Sequence, residues 1–168
     1  MGKVILICGK IGSGKTTYAD KLSEQLNAVN ISQDELMLDL FGAELYENDM
    51  EQYQKYCSRV EDYVKRKAGE AAKAGAVVIC ENGFWPRQER DELRKFYAGM
   101  GVECELHYID TPEEQRLVNI QKRNETVRLG KSDFFLVHDE DIYHYFEVPG
   151  EDEIDVRVKY NLILIDSN

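Results

Sequence analysis

Gly9-Lys10-Ile11-Gly12-Ser13-Gly14-Lys15-Thr16 is the stretch from which the rest of the chain is read. It satisfies the phosphate-loop pattern G-x-x-x-x-G-K-[ST], in which glycines let backbone N–H groups turn inward around polyphosphate oxygens and the following helix adds the positive end of its dipole. Lys15 is expected to reach the β and γ phosphates, and the Thr16 hydroxyl to bind the Mg²⁺ that bridges them. The flanks agree. Val4-Ile5-Leu6-Ile7-Cys8 is a continuous apolar run, as in the central strand of a parallel sheet, and Thr17-Tyr18-Ala19-Asp20-Lys21-Leu22 continues at helical period. The expected phosphate-binding set is therefore Gly9, Lys10, Ile11, Gly12, Ser13, Gly14, Lys15, Thr16 and Thr17.

Outward from this loop, apolar runs alternate with helical patterns, which predicts an α/β chain with helices on both faces of a doubly wound parallel sheet. Five strands are readable, near 3–8, 28–31, 76–80, 103–109 and 161–165, and none holds an internal proline. Between the second and third, Tyr53, Tyr56, Cys57, Val60, Tyr63, Val64, Ala68, Ala71 and Ala72 recur at steps of three and four. That spacing predicts one long amphipathic helix closed by Gly75, with the tyrosine stripe facing the core. Ser32-Gln33-Asp34-Glu35 and Thr111-Pro112-Glu113-Glu114 both read as capping boxes that start helices. Pro86 opens another, which turns Leu93, Phe96 and Tyr97 inward before Gly99 and Gly101 end it. The least regular part, 124–152, is expected to hold a lid and a closing loop within a single domain spanning 1–168.

Composition narrows the function. The 168 residues are 43% hydrophobic with a mean hydropathy of −0.50, which suits a soluble chain with a core of its own. The first apolar run is too short for a membrane span and lacks the flanks of a signal peptide, so the expected location is the cytoplasm, with no membrane partner. A net charge of −11 makes an extended nucleic-acid partner unlikely, because affinity for a polyanionic backbone needs clustered Lys and Arg. Cys8, Cys57, Cys80 and Cys104 show neither a C-x-x-C pair nor a zinc-ligand spacing, and read as small apolar residues. Nothing in the sequence points to a partner protein.

In open α/β sheets ligands bind where strands end, so the polar residues after each strand are the site candidates. These are the phosphate loop, then Asp34, then Glu81 and Asn82, then Asp110. On these residues the chain resembles the small P-loop phosphotransferases, the group that includes gluconate kinase, chloramphenicol phosphotransferase, zeta toxins and the 5′-hydroxyl kinase domain of phage polynucleotide kinase. The matching stretches are Asn30-Ile31-Ser32-Gln33-Asp34, Glu81-Asn82-Gly83-Phe84-Trp85-Pro86-Arg87, and Asp110-Thr111-Pro112 through Arg116 to Lys122-Arg123-Asn124. Phe146-Glu147-Val148-Pro149-Gly150-Glu151-Asp152-Glu153 resembles the tail of family members described as AAA-type ATP-binding, which need not be AAA+ machines.

The resemblance implies a nucleoside-kinase-like α/β/α P-loop fold with a five-stranded parallel sheet and a lid. It also implies ATP, with GTP left open, and Mg²⁺ as cofactors, and a small hydroxylated acceptor. Asp34 would take or orient the acceptor proton, Glu81 would hold the metal with Thr16 or touch substrate, and Arg123 would join Lys15 on the transferring phosphoryl, with Arg116 one heptad before it. Arg128 and Lys131 would reach the nucleotide from the lid, and Trp85 and Arg87 would line an acceptor pocket. One departure bears on the acceptor. Where polynucleotide kinases carry an arginine three residues past the base, this chain has Met37, and a neutral or cationic small alcohol suits it better than a 5′ end. Two alternatives remain open, a polynucleotide or nucleoside 5′-hydroxyl kinase and a regulatory ATPase. A guanine switch lacks its N-K-x-D motif, and an AAA+ motor lacks its second helical domain.

Overall fold

The structure, a computed structural model, describes residues 2–132, 134–142 and 145–160. In chain order its elements are β1 (Lys3–Cys8), α1 (Lys15–Leu26), β2 (Val29–Ser32), α2 (Gln33–Phe41), α3 (Ala43–Asn48), α4 (Met50–Lys73) and β3 (Val77–Gly83). They continue through α5 (Arg87–Gly99), β4 (Glu103–Asp110), α6 (Glu113–Arg128), the short α7 (Asp139–Ile142) and β5 (Val156–Lys159). The strands form one parallel sheet in the order β2-β3-β1-β4-β5, which places β1 and its loop at the centre.

Strand β1 is buried on both faces because it separates two cores, which accounts for its unbroken apolar run. Val4, Leu6 and Cys8 face Ala68 and Ala72 of α4 and Tyr97 of α5, while Ile5 and Ile7 face Ala19 of α1 with Ile79, Ile109 and Val158. Small side chains at Ala68, Gly69 and Ala72 let the last turns of α4 approach the sheet, and a Schellman motif ends the helix. In it Gly75 takes φ 106, its N–H bonds Ala72 O at 2.9 Å, and the Ala76 N–H bonds Ala71 O at 3.0 Å. The tyrosine stripe behaves differently from the expectation of a core face. Tyr63 is 56% exposed, and Tyr53 and Tyr56 lie on the half of α4 that runs beyond the sheet and packs against α2 and α3.

One further expectation is revised, and another lies outside the described residues. The capping box at Thr111 does not form. Pro112 is the N-cap of α6, and the Thr111 hydroxyl donates instead to Ser13 O at 2.7 Å. At Ser32 the expected cap is present, its hydroxyl accepting from Glu35 N at 3.4 Å. The strand expected near 161–165 lies outside the described residues, and the fifth described strand is Val156–Lys159. It is an edge strand in which Val156 is 39% exposed and Val158 6%, so it carries alternation rather than a continuous apolar run.

The chain from 145 to 155 is tied down by a buried guanidinium, with further bonds from Arg87 and Arg94. Arg90, fully buried, donates to Phe84 O (3.0 Å), Trp85 O (2.8 Å) and Glu147 O (3.0 Å), and pairs with both carboxylate oxygens of Glu153 at 2.8 and 3.2 Å. All of these acceptors are lost together if the cation is removed. We therefore expect Arg90→Met to destabilise the fold by about 3–5 kcal/mol, since it strands a buried carboxylate. Arg87→Met, whose partly exposed side chain pairs with Asp152 and Glu153, should cost under about 1 kcal/mol. Urea denaturation of the two variants makes the comparison, and equal losses would contradict it.

Candidate active site

Helix α1 begins at Gly14, which takes φ 93 and caps the helix with no side-chain bond, so its first-turn N–H groups remain available to an anion. In the loop before it each carbonyl has a side-chain donor. Lys15 Nζ donates to Gly9 O and Lys10 O at 3.1 Å each, Arg116 Nη1 to Ile11 O at 2.6 Å, Asn119 Nδ2 to Gly12 O at 2.9 Å, and Thr111 Oγ1 to Ser13 O at 2.7 Å. Because C=O and N–H point oppositely across a peptide plane, tying Ile11 O and Ser13 O to Arg116 and Thr111 aims the Gly12 and Gly14 amides the other way, whereas Ser13 N–H is spent on Lys10 O at 3.2 Å. A cavity of about 280 Å³ is lined by Ile11, Gly12, Gly14, Lys15, Thr16 and Thr17 of the loop, with Asp34, Glu81, Asn119 and Arg123 around it.

Thr16 and Glu81 meet at its base. The Thr16 hydroxyl donates to Glu81 Oε1 at 2.5 Å, while Glu81 is only 8% exposed and its Oε2, fully buried, has no hydrogen-bond partner. Burial raises the carboxyl pKa, opposed by the Thr16 bond and the Lys15 charge. An orphaned buried carboxylate oxygen next to a hydroxyl is a donor set that fits Mg²⁺, a hard cation that prefers oxygen. Among the described residues no group of three or more His, Cys, Asp or Glu could hold a metal, so the remaining ligands would be phosphate oxygens and water. Lys15 is held below its ordinary pKa by burial, against the charges of Glu81 and Asp34.

A second cleft of about 370 Å³ opens from the same floor. Lys15, Asp34, Glu81 and Arg123 line both spaces, and the cleft adds Tyr46, Tyr53, Glu61, Asn82, Trp85, Glu89 and Phe135. Asn82 gets there through a register slip. Ile7 pairs with Glu81 and Cys8 with Gly83, so Asn82 bulges from β3, and Gly83 (φ 79) and Phe84 (φ 48) complete the turn. Arg123 lies over the Phe134 ring at 4.2 Å, and its Nε is buried without a partner. Burial lowers its pKa against the pull of Asp34 and Glu81.

This geometry agrees with what the chain is similar to. Residues 4–138 match the family model for an AAA domain. The chain belongs to that P-loop family. No curated protein matches it in sequence. Among solved structures, the APS kinase of Mycobacterium tuberculosis in complex with AMPPNP and APS superposes with a TM-score of 0.65 at 21% identity, covering 94% of this chain and 88% of that one. A sugar kinase from Janibacter sp. gives 0.63 at 15% identity, covering 96% and 87%. A gluconokinase from Sinorhizobium meliloti gives 0.54 at 17%, covering 94% and 82%. This AAA domain chain thus has the three-layer α/β/α fold of P-loop kinases, with the five-stranded parallel sheet expected from its sequence.

Within this AAA domain, the expected site residues separate into two groups. Ile11, Gly12, Gly14, Lys15, Thr16 and Thr17 of the loop, with Asp34, Glu81, Arg123 and Trp85, lie around the two spaces, whereas Gly9, Lys10 and Ser13 of the loop line neither, and nor do the exposed Arg128 and Lys131. Arg116 is 3% exposed and spends its charge on Ile11 O, Arg87 is paired with Asp152, and Asp110 accepts from Arg157 at 3.1 Å. Met37 is 1% exposed and lines neither space, so its side chain says nothing about the acceptor. Sequence reasoning missed Asn119, one of the loop clamps. The signal was its position three residues past Arg116, on the same face of a helix. The aromatic and acidic wall of Tyr46, Tyr53, Glu61 and Glu89 had no local signal.

Gly12 takes φ 75, and a Cβ there would lie 2.7 Å from both Arg116 O and Ile120 Cγ1. Gly12→Ala is expected to weaken binding of an ATP analogue by more than about tenfold, because loop and α6 must separate. Gly99→Ala, where a Cβ meets nothing within 4 Å, should bind as the wild type does. Titration calorimetry of both variants decides whether the close loop–helix contact matters to the anion site.

Proposed function

We propose that this protein is a Mg²⁺-dependent phosphotransferase that moves the γ-phosphoryl group of ATP to a hydroxyl of a small molecule. The observation that carries this reading is the sharing of Lys15, Asp34, Glu81 and Arg123 between the phosphate-loop cavity and a second cleft large enough for a small acceptor. A pure ATPase needs only the first space. The bound metal, held by Thr16 and Glu81, would spread the charge of the phosphate oxygens.

Asp34 stands in the first turn of α2 at the boundary of the two spaces, and there it accepts the acceptor's hydroxyl proton. The acceptor oxygen forms the new O–P bond while the bond from the γ-phosphorus to the bridging oxygen breaks, and ADP leaves with that electron pair. Lys15 and Arg123, on the same floor, offset charge on the equatorial oxygens, and the wall of Tyr53 and Phe135 keeps water away. Segment 134–137 is fastened to α6, since the Asn124 amide donates to Val137 O at 2.8 Å and accepts from Val137 N at 2.9 Å. Its position over Arg123 supports the lid role proposed for this region.

Asp34→Asn should lower phosphoryl transfer roughly 10²–10⁴-fold and leave affinity for the ATP analogue near wild type, because the amide keeps the shape of the group but cannot take the proton. Folding should survive, at a cost of a few tenths to about 1 kcal/mol for the lost first-turn charge. Transfer assays beside calorimetry separate the two effects, and near-normal transfer by the Asn variant would remove Asp34 as the base.

Hydrogen exchange gives an independent check of the lid. Amides of 134–142 should gain protection when the ATP analogue is added, since lids are drawn from the least stable parts of a fold. No change there would leave the segment a fixed wall.

A further inference from the structure

The acceptor cleft has two chemically different ends. One end holds Lys15 and Arg123, the cations suited to phosphate, and is shared with the phosphate-loop cavity. At the other end Glu61, Asn82 and Glu89 are shared with a chamber of about 140 Å³ between α4 and α5, floored by Leu6, Cys80 and Phe84. Asp62 and Glu92 add to the negative charge of that chamber. Among the described residues Lys65 is the one basic group in its lining, with its ammonium 4.5 Å from the centre of the Phe96 ring.

The carboxylates at this end have mostly neutral partners. Glu61 accepts from the neutral amide of Gln33 at 3.0 Å, and the Glu89 carboxyl is pushed up to about 7, first by burial and then by the charge of Glu61, against the charge of Arg90 and a hydrogen bond from the Trp85 backbone. Asp141, also in the cleft lining, is engaged by the Tyr46 hydroxyl at 3.0 Å from both carboxylate oxygens. Glu81, the carboxylate that would hold the metal with Thr16, lies in the same lining. Between the two ends runs an aromatic wall in which Tyr46 meets Tyr53 at 5.1 Å and Phe135 at 5.2 Å, with Trp85 supplied by the β3–α5 turn. Aromatic faces next to carboxylates that no cation pairs attract ammonium groups by cation–π and ion-pair interactions together, whereas a carboxylate- or phosphate-bearing acceptor would be repelled.

We propose that the acceptor is a cationic alcohol, with its hydroxyl at Asp34 and its ammonium group seated by Glu61 and Glu89 against the aromatic wall. This assignment rests on the phosphotransferase reading for the fate of the hydroxyl, but the cation seat itself is a binding site that can be tested without turnover. The ammonium takes no part in the bonds made and broken. Its role is to hold the alcohol with the oxygen directed toward the loop.

The test uses full-length protein with Mg²⁺ and either AMPPNP or ATP, and alcohols matched in shape but not in charge. Choline is set against dimethylbutanol, its carbon isostere, and aminopropanol against butanol, with hydroxypropanoate as the anionic member. The cationic member of each pair is expected to raise the melting temperature of the AMPPNP-bound protein more than its twin, and to exceed it at least about tenfold in kcat/KM. Glu61→Gln combined with Glu89→Gln should remove that preference while AMPPNP affinity stays within about twofold of wild type. Neutral or anionic alcohols binding and reacting as well as the cationic ones would overturn the proposal and leave the phosphotransferase reading standing. So would a cation preference that survives in the double variant, or cationic alcohols that give no shift. Cation-selective binding with no transfer to any alcohol would keep the seat and remove the phosphotransferase reading.

Discussion

A phosphate loop is a stretch of backbone that must keep its amides free for an anion, so its carbonyls need partners from elsewhere. Here the carbonyls from Gly9 to Ser13 are all bonded by side chains, those of Lys15, Arg116, Asn119 and Thr111. A buried acceptor left unbonded costs about 1–3 kcal/mol, so losing several would make the loop collapse onto its own amides. Three of the four donors come from the end of β4 and from α6. The anion site at the centre of the sheet is thus built from its neighbour on one side.

That demand explains the unusual inner face of α6. Its buried positions are Arg116, Ile120 and Asn124, two of them polar. Arg116 and Asn119 fix the loop, Ile120 packs where a side chain on Gly12 would have stood, Arg123 projects into both spaces, and Asn124 fastens the segment at Val137. One helix therefore couples loop, cation and covering segment. A displacement of the covering segment would be felt at the loop through a rigid element rather than through a flexible linker.

The second cleft is organised by a different constraint. Helix α4 is longer than the sheet it covers, so its first half extends past the strands and its Tyr53 lines a cleft instead of a core. Opposite contributions come from the β3–α5 turn, where the bulge at Asn82 and the positive φ of Phe84 are held by Arg90, which reaches Phe84 O and Trp85 O. Strain in that turn is offset by a fully buried guanidinium with five hydrogen bonds.

Local patterns in the sequence determined the loop, the α/β alternation, four of the strands and the helix starts at Ser32 and Pro86, because hydrophobic period and cap chemistry are set by residues a few positions apart. The same patterns placed Asp34 and Glu81 at strand ends and the family resemblance singled out Arg123, and the fold brings all three around one floor. Tertiary structure alone decided the rest. Thr111 has the sequence of a cap, yet its hydroxyl serves Ser13 O, since a buried carbonyl nearby gains more from it than a helix end open to water. Arg116 and Arg123 are indistinguishable as basic residues on one helix, but one faces a carbonyl and the other a cavity. The tyrosines of α4 carry the period of a core face, and only the length of the helix relative to the sheet turned Tyr53 into the wall of a cleft. The same long-range packing brought Glu61 beside Glu89 across 28 residues of chain, a juxtaposition with no local spacing to announce it.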